Sequence, residues 1–179
     1  LLLYTSGTTG APKGVLHSSN TLASEERAAI GYWNVTSQDM VLMPSPVTHV
    51  TGYLYALEMP FVARCGMVLM ERWDVGEAVR LSNLYSASLT VGATPFLAEL
   101  SQLIEETGVG VPSLRVFASG GAPVPPELVR RARASLPGCE VFRVYGSSEA
   151  PTVSLGIRPG DDPELGATTD GRIVNNTVR

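Results

Sequence analysis

The densest chemistry in the chain lies at its start, in Tyr4-Thr5-Ser6-Gly7-Thr8-Thr9-Gly10-Ala11-Pro12-Lys13-Gly14. The stretch has almost nothing apolar to bury, and its residue types disfavour a helix. Glycines allow positive φ and let backbone N–H groups converge on one point. Thr5, Ser6, Thr8 and Thr9 add hydroxyl donors of adjustable direction, and Lys13 adds a cation on a mobile stem. Together they form a cradle for phosphate. A flexible surface turn would also carry Gly, Ser and Thr; the lysine and the hydroxyl density favour the anion. The common P-loop is excluded, because it ends in Gly-Lys-Ser/Thr at a helix start. Here Pro12 biases Ala11 toward an extended conformation. The expectation is a strand–loop–strand cradle, with a helix beginning near Ser18, Ser19 or Asn20, all good N-caps.

Three further loops carry reactive side chains. Pro44-Ser45-Pro46-Val47-Thr48-His49 offers an imidazole. Ser119-Gly120-Gly121-Ala122-Pro123 offers a small-residue wall. Tyr145-Gly146-Ser147-Ser148-Glu149 offers an aromatic face, two hydroxyls and a carboxylate. Each has a plainer reading. Gly120–Pro123 reads equally well as a strand-to-helix turn. Tyr145 suits a strand end, Glu149 a solvated charge, and His49 or His17 a structural polar position. Their weight is joint.

The elements that must position these loops alternate. Helices are expected over 21–30, 52–63, 75–85, 95–106 and 125–136, with Pro60 kinking or ending the second. Thr94 is placed to cap the fourth, with Pro95 in its first turn. Strands are expected over 39–43, 67–70, 88–91, 114–118 and 140–145, and 156–171 reads as a polar surface loop. The pattern predicts an α/β layered fold, a mostly parallel sheet flanked by helices. In such folds the loops at the carboxyl ends of strands carry the site.

Bulk properties set outer bounds. The 179 residues carry a formal net charge of −4, which gives no basic face for nucleic acid. Hydrophobic residues make up 44%, enough for a sizeable core. Cys65 and Cys139 sit in no Cys/His cluster and read as buried free thiols. No stretch is long and apolar enough to span a bilayer, and no signal peptide is visible, so cytoplasm is the expected location. The chain opens and closes inside apparent strands, which suggests a single partial domain over 1–179.

Taken together, YTSGTTGAPKG at 4–14, PSPVTHVTG at 44–52, SGGAPV at 119–124 and YGSSEA at 145–150 resemble the adenylate-forming superfamily, most closely acyl-CoA synthetases. TDGRIVNNTVR at 169–179 is similar to the family stretch beyond the nucleotide site. The resemblance implies the large N-terminal domain of such an enzyme. It also implies a carboxylic acid activated by ATP as an acyl-adenylate, then passed to coenzyme A. By motif match, Thr5, Ser6, Gly7, Thr8, Thr9, Gly10 and Lys13 would hold the outer phosphates. Gly120, Gly121, Ala122 and Pro123 would form one wall of an adenine slot, and Tyr145 the other. Gly146, Ser147 and Ser148 would line the α-phosphate, Ser148 standing where the family usually has Thr. Glu149 would help bind Mg²⁺, and His49 would sit beside the carboxylate. His49, Lys13 and Glu149 are the implied catalytic set.

The apolar segment with Tyr53, Leu54, Tyr55 and Leu57 would wall an acyl pocket. No acidic residue before Glu58 stands there to hold an amino group, which favours a non-amino acid. The family's ribose-binding aspartate motif, its hinge and its lysine-bearing small domain have no counterpart in these residues, so this polypeptide alone is expected not to complete the reaction. The alternatives are an amino-acid or aryl-acid adenylation domain serving a carrier protein, a phosphotransferase releasing ADP, and a non-catalytic nucleotide-binding module.

Overall fold

The structure, a computed structural model, describes residues 1–7 and 10–174. Thr8, Thr9 and the closing stretch 175–179 lie outside the described residues.

Two strands, β1 (Leu2–Thr5) and β2 (Lys13–Leu16), pair antiparallel, with Thr5 opposite Lys13. The strand–loop–strand reading therefore holds. Helix α1 (Ser19–Tyr32) follows at once, and the Ser18 hydroxyl caps it by accepting the backbone N–H of Thr21.

The remaining strands form one parallel sheet. They are β3 (Met40–Met43), β4 (Gly66–Leu69), β5 (Leu89–Ala93), β6 (Val116–Gly120) and β7 (Glu140–Arg143), in spatial order β4-β3-β5-β6-β7. The helices between them are α2 (Val50–Tyr53), α3 (Met59–Ala63), α4 (Val75–Tyr85), α5 (Thr94–Thr107) and α6 (Pro126–Ser135). A parallel sheet is buried on both faces, so its strands read as short apolar runs. Alternation then divides each run. On β3, Val41 and Met43 join a core with Trp33, Leu54 and Met59, while Leu42 joins Met70 and Ala78 on the other face. On β6, Val116 and Ala118 pack with the first group and Phe117 with Leu97, Val129 and Val141. At the amino ends of the strands, Arg115 clamps Asp39 at 2.8 and 2.9 Å and also donates to the carbonyls of Trp33 and Asn34.

Several boundaries differ from expectation. The segment 50–63 does not end at Pro60, which lies inside α3. It runs on through a π turn, Leu54–Glu58, in which the Met59 N–H reaches back to the Leu54 carbonyl. The wider turn absorbs the N–H that Pro60 lacks. Thr94 does not cap α5: Ala93 occupies the N-cap with no side-chain bond, and the Thr94 hydroxyl donates to the Pro123 carbonyl at 3.3 Å. The strand expected over 114–118 lies at Val116–Gly120, because Arg115 is committed to Asp39. Strand β7 stops at Arg143, and Tyr145 instead bridges antiparallel to Ser154. The stretch 156–171 is more than a surface loop. It holds a short helix, α7 (Pro163–Thr168), and buries Ile157 and Ala167. Cys65 and Cys139 are free thiols; Cys139 is buried and Cys65 half-buried. Burial, the largest cause, pushes both thiols up, Cys139 to about 12.

Candidate active site

The strand order makes the site. The chain leaves β3, adds β4 on one side, then returns to place β5 on the other. Connections from β3 and β5 therefore diverge, and a crevice opens at their carboxyl ends. A cavity of about 450 Å³ lies there. Its walls come from the ends of four strands: Ser45, Pro46 and His49 after β3; Gly92 and Ala93 on β5; Gly120 and Gly121 at β6; Gly146, Ser147 and Ser148 after β7. Thr51 from α2, Tyr55 from the π turn and Phe96 from α5 complete it.

Two glycines are required by geometry. A Cβ on Gly146 would stand 2.0 Å from the Pro151 carbonyl oxygen, so any side chain would force the 145–151 loop open. Gly121 has φ +82°, a conformation that other L residues rarely adopt, and open space where a side chain would project.

His49 is exposed and faces the cavity. Its Nδ1 accepts the Thr51 backbone N–H at 3.2 Å, capping α2. In the neutral ring that bond leaves the proton on Nε2. Among the described residues, the ionisable side chains in the lining are His49 and Tyr55. No described Asp, Glu, Lys or Arg lines it.

The β1–β2 hairpin reaches the 145–149 loop through His17. This residue is buried, and its Nε2–H donates to the Ser148 carbonyl at 2.6 Å. The contact pins the end of β2 to the 145–149 loop. Sequence reading gives His17 a structural polar position; its side-chain partner lies in a loop 131 residues away.

The expected site residues fall in different places. His49, Gly120, Gly121, Gly146, Ser147 and Ser148 converge on the cavity. Ala122, Pro123, Tyr145 and Glu149 stand outside its lining, exposed or partly exposed, with Tyr145 57% accessible. Thr5, Ser6, Gly7, Gly10 and Lys13 belong to the hairpin rather than the cavity, and Lys13 is exposed. Thr8 and Thr9 fall outside the described residues. Of the four residues read as an acyl wall, Tyr55 alone lines the cavity; Leu54 is wholly buried in the core, and the Tyr53 hydroxyl donates to Glu58 at 2.7 Å. Sequence reading missed Gly92, Ala93 and Phe96, because apolar residues at a strand–helix junction read as core.

Among the described residues no group of three or more His, Cys, Asp or Glu side chains is placed to hold a metal ion. What the loops provide is one exposed carboxylate, Glu149, beside the hydroxyls of Ser147 and Ser148. That donor set suits Mg²⁺, which is commonly held by one carboxylate together with substrate phosphates.

The model of the AMP-binding enzyme family matches residues 1–178. The chain belongs to the AMP-binding enzymes. It is 34% identical over 149 residues to the medium-chain fatty-acid–CoA ligase of Escherichia coli strain K12, spanning 83% of this chain and 26% of that enzyme. It is 32% identical over 159 residues to the 2-succinylbenzoate–CoA ligase of Bacillus subtilis, 88% of this chain and 31% of the relative. The fold matches ATP-bound MatB from Rhodopseudomonas palustris with a TM-score of 0.77 at 31% identity, over 89% of this chain and 31% of that one. The chain thus spans about a third or less of these relatives' length. Among the described residues no helix is long and apolar enough to cross a membrane.

Proposed function

We propose that the intact protein activates a carboxylic acid with ATP, forming an acyl-adenylate and pyrophosphate, and then transfers the acyl group to the thiol of coenzyme A. The observation that carries this reading is the His17–Ser148 bond, which sets a Gly/Ser/Thr hairpin bearing Lys13 against the mouth of a cavity at four strand ends. Phosphoryl oxygens gather charge as the acid attacks, so the protein's work is positioning and electrostatic stabilisation. Lys13 and the hairpin N–H groups hold the departing pyrophosphate. The hydroxyl of Ser148 meets the α-phosphate, and Gly121 with Tyr145 bounds the adenine. Glu149 holds Mg²⁺, which when bound neutralises phosphate charge. His49, with its proton on Nε2, donates to the acid's carboxylate and orients it.

The substrate is a non-amino acid with an uncharged tail. Among the described residues, the lining offers no carboxylate to receive an ammonium and no cation to receive a second acid group. That favours coenzyme A ligation over amino-acid activation for a carrier protein. Of the relatives named above, the CoA ligase for medium-chain fatty acids agrees with such a tail.

The test is the nucleotide product of the intact protein given Mg-ATP, coenzyme A and a panel of aliphatic and aromatic acids. AMP and pyrophosphate released only with acid, and lost in Lys13→Ala or Glu149→Ala, is the expected outcome. Release of ADP would replace the reading with phosphoryl transfer.

A further inference from the structure

Behind the cavity lies a cluster that this mechanism does not use. Glu26 on α1 has no exposed surface, and neither of its carboxyl oxygens meets a hydrogen-bond donor group in the surrounding protein. Its neighbour is the carboxyl of Glu58, the last residue of the π turn. Two carboxyls share a hydrogen bond only when one keeps its proton. Glu58 also accepts the Tyr53 hydroxyl at 2.7 Å, a bond spanning five residues, the spacing of a π turn. Between Tyr53 and Glu58 sits Tyr55, 5% exposed, its ring 5.4 Å from Trp33 and its edge in the cavity wall.

We propose that Tyr53, Glu58 and a protonated Glu26 are positioning residues that clasp the π turn and so hold the Tyr55 ring at the acyl end of the cavity. In that arrangement Tyr53 donates to Glu58, and Glu26 donates its carboxyl proton to the same side chain. The buried partner carries no charge while the clasp is closed.

The surroundings leave Glu26 little to offset ionisation. Burial is the main cause that raises it, followed by the hydrogen bond and the charge of Glu58, and together these bring it to about 8 against the lowering effect of Arg27. The neighbouring elements α3, β3 and β4 pack against the π turn and contain no ionisable side chain. On α2 the ionisable group is Tyr53, raised first by its bond to Glu58. Tyr55 itself is held well above its ordinary range by burial and then by Glu25, so its phenol stays neutral when Glu26 titrates. Loss of the Glu26 proton to solvent sets a buried negative charge against that of the half-buried Glu58. The clasp then opens, and Tyr55 loses its support.

Two readouts test this in the intact protein. The first needs no substrate: the part of the tryptophan emission that Trp33→Phe removes, followed from pH 6 to 10. A transition near pH 8 in the wild type, absent in Glu26→Gln, is expected, because glutamine keeps the neutral shape and cannot ionise. The second rests on the ligase reading: KM for the acid should rise about tenfold from pH 7 to pH 9 as the protonated fraction falls. That rise should vanish in Glu26→Gln, with kcat little changed. Glu26→Ala should raise KM already at pH 7, and the glutamine variant should rescue it. A Trp33 transition that persists in Glu26→Gln, or is missing from the wild type, overturns the proposal. If no acid supports turnover, the ligase reading fails, and the Trp33 titration still decides the clasp.

Discussion

At the residue scale, His17 does the least conspicuous work for the site. Its imidazole replaces solvent around the Ser148 carbonyl and aligns the hairpin with the loop that carries Ser148 and Glu149. His17→Ala would leave that carbonyl without its partner, at a cost of about 1–3 kcal/mol if water cannot enter. We expect a KM for ATP raised several-fold, with KM for the acid nearly unchanged, because the acyl end is built from other elements. Steady-state kinetics with each substrate varied in turn checks the split. Gly121→Val is expected to act more severely. It adds a branched side chain at a φ of +82°, in the space where adenine is proposed to lie. Nucleotide affinity measured by calorimetry should fall about tenfold, because the side chain would take up room proposed for the ligand, a loss of about 1.4 kcal/mol. Unchanged affinity would remove Gly121 from the nucleotide slot.

At the element scale, the sheet depends on a clamp far from the chemistry. Asp39 is 7% exposed and binds Arg115, Ser88 and the Thr36 N–H. Burial pushes its carboxyl up, but hydrogen bonds from Arg115, Ser88 and Thr36 outweigh it and hold it at about 2. Asp39→Ala would strand the guanidinium between the ends of β3 and β6, and should cost about 3 kcal/mol, read as a shift in the denaturation midpoint. Much of this framework was legible from residue order. Runs such as Met40–Met43 and Leu89–Ala93 read as buried strands because parallel strands are apolar on both faces. Gly- and hydroxyl-rich loops stand out against them, which is why four motif loops could be placed at strand ends. The π turn was not legible. Leu54–Glu58 has the composition of an ordinary helix, and what widens it is Pro60 downstream together with partners on α1. Gly92 and Phe96 stayed hidden for a related reason, since nothing local separates an apolar residue facing a cavity from one facing a core.

At the scale of the whole molecule, two buried carboxyls give stability opposite pH dependences. Asp39 is depressed in the folded state, so its contribution is present above its ordinary value near pH 4 and is lost as pH falls toward 2. Glu26 is raised, so the folded state holds a proton that the unfolded chain has released. Its contribution is complete below about pH 4.5 and declines as pH climbs to about 8, by up to about 1.4 kcal/mol per pH unit. Denaturation midpoints should therefore peak in mildly acid solution, and Glu26→Gln should flatten the alkaline side of the curve. An alkaline limb unchanged by that substitution would show that other groups control it.

The bond from His17 to Ser148 also orders events in time. It closes a span of 131 residues, within which all five strands of the parallel sheet lie. Contacts so distant along the chain are entropically expensive and form late. The hairpin and α1 can arise early from near neighbours, whereas the mouth of the cavity is expected to assemble late. For the same reason it is the first to come apart, so activity should fade under mild denaturant while the parallel sheet is still intact.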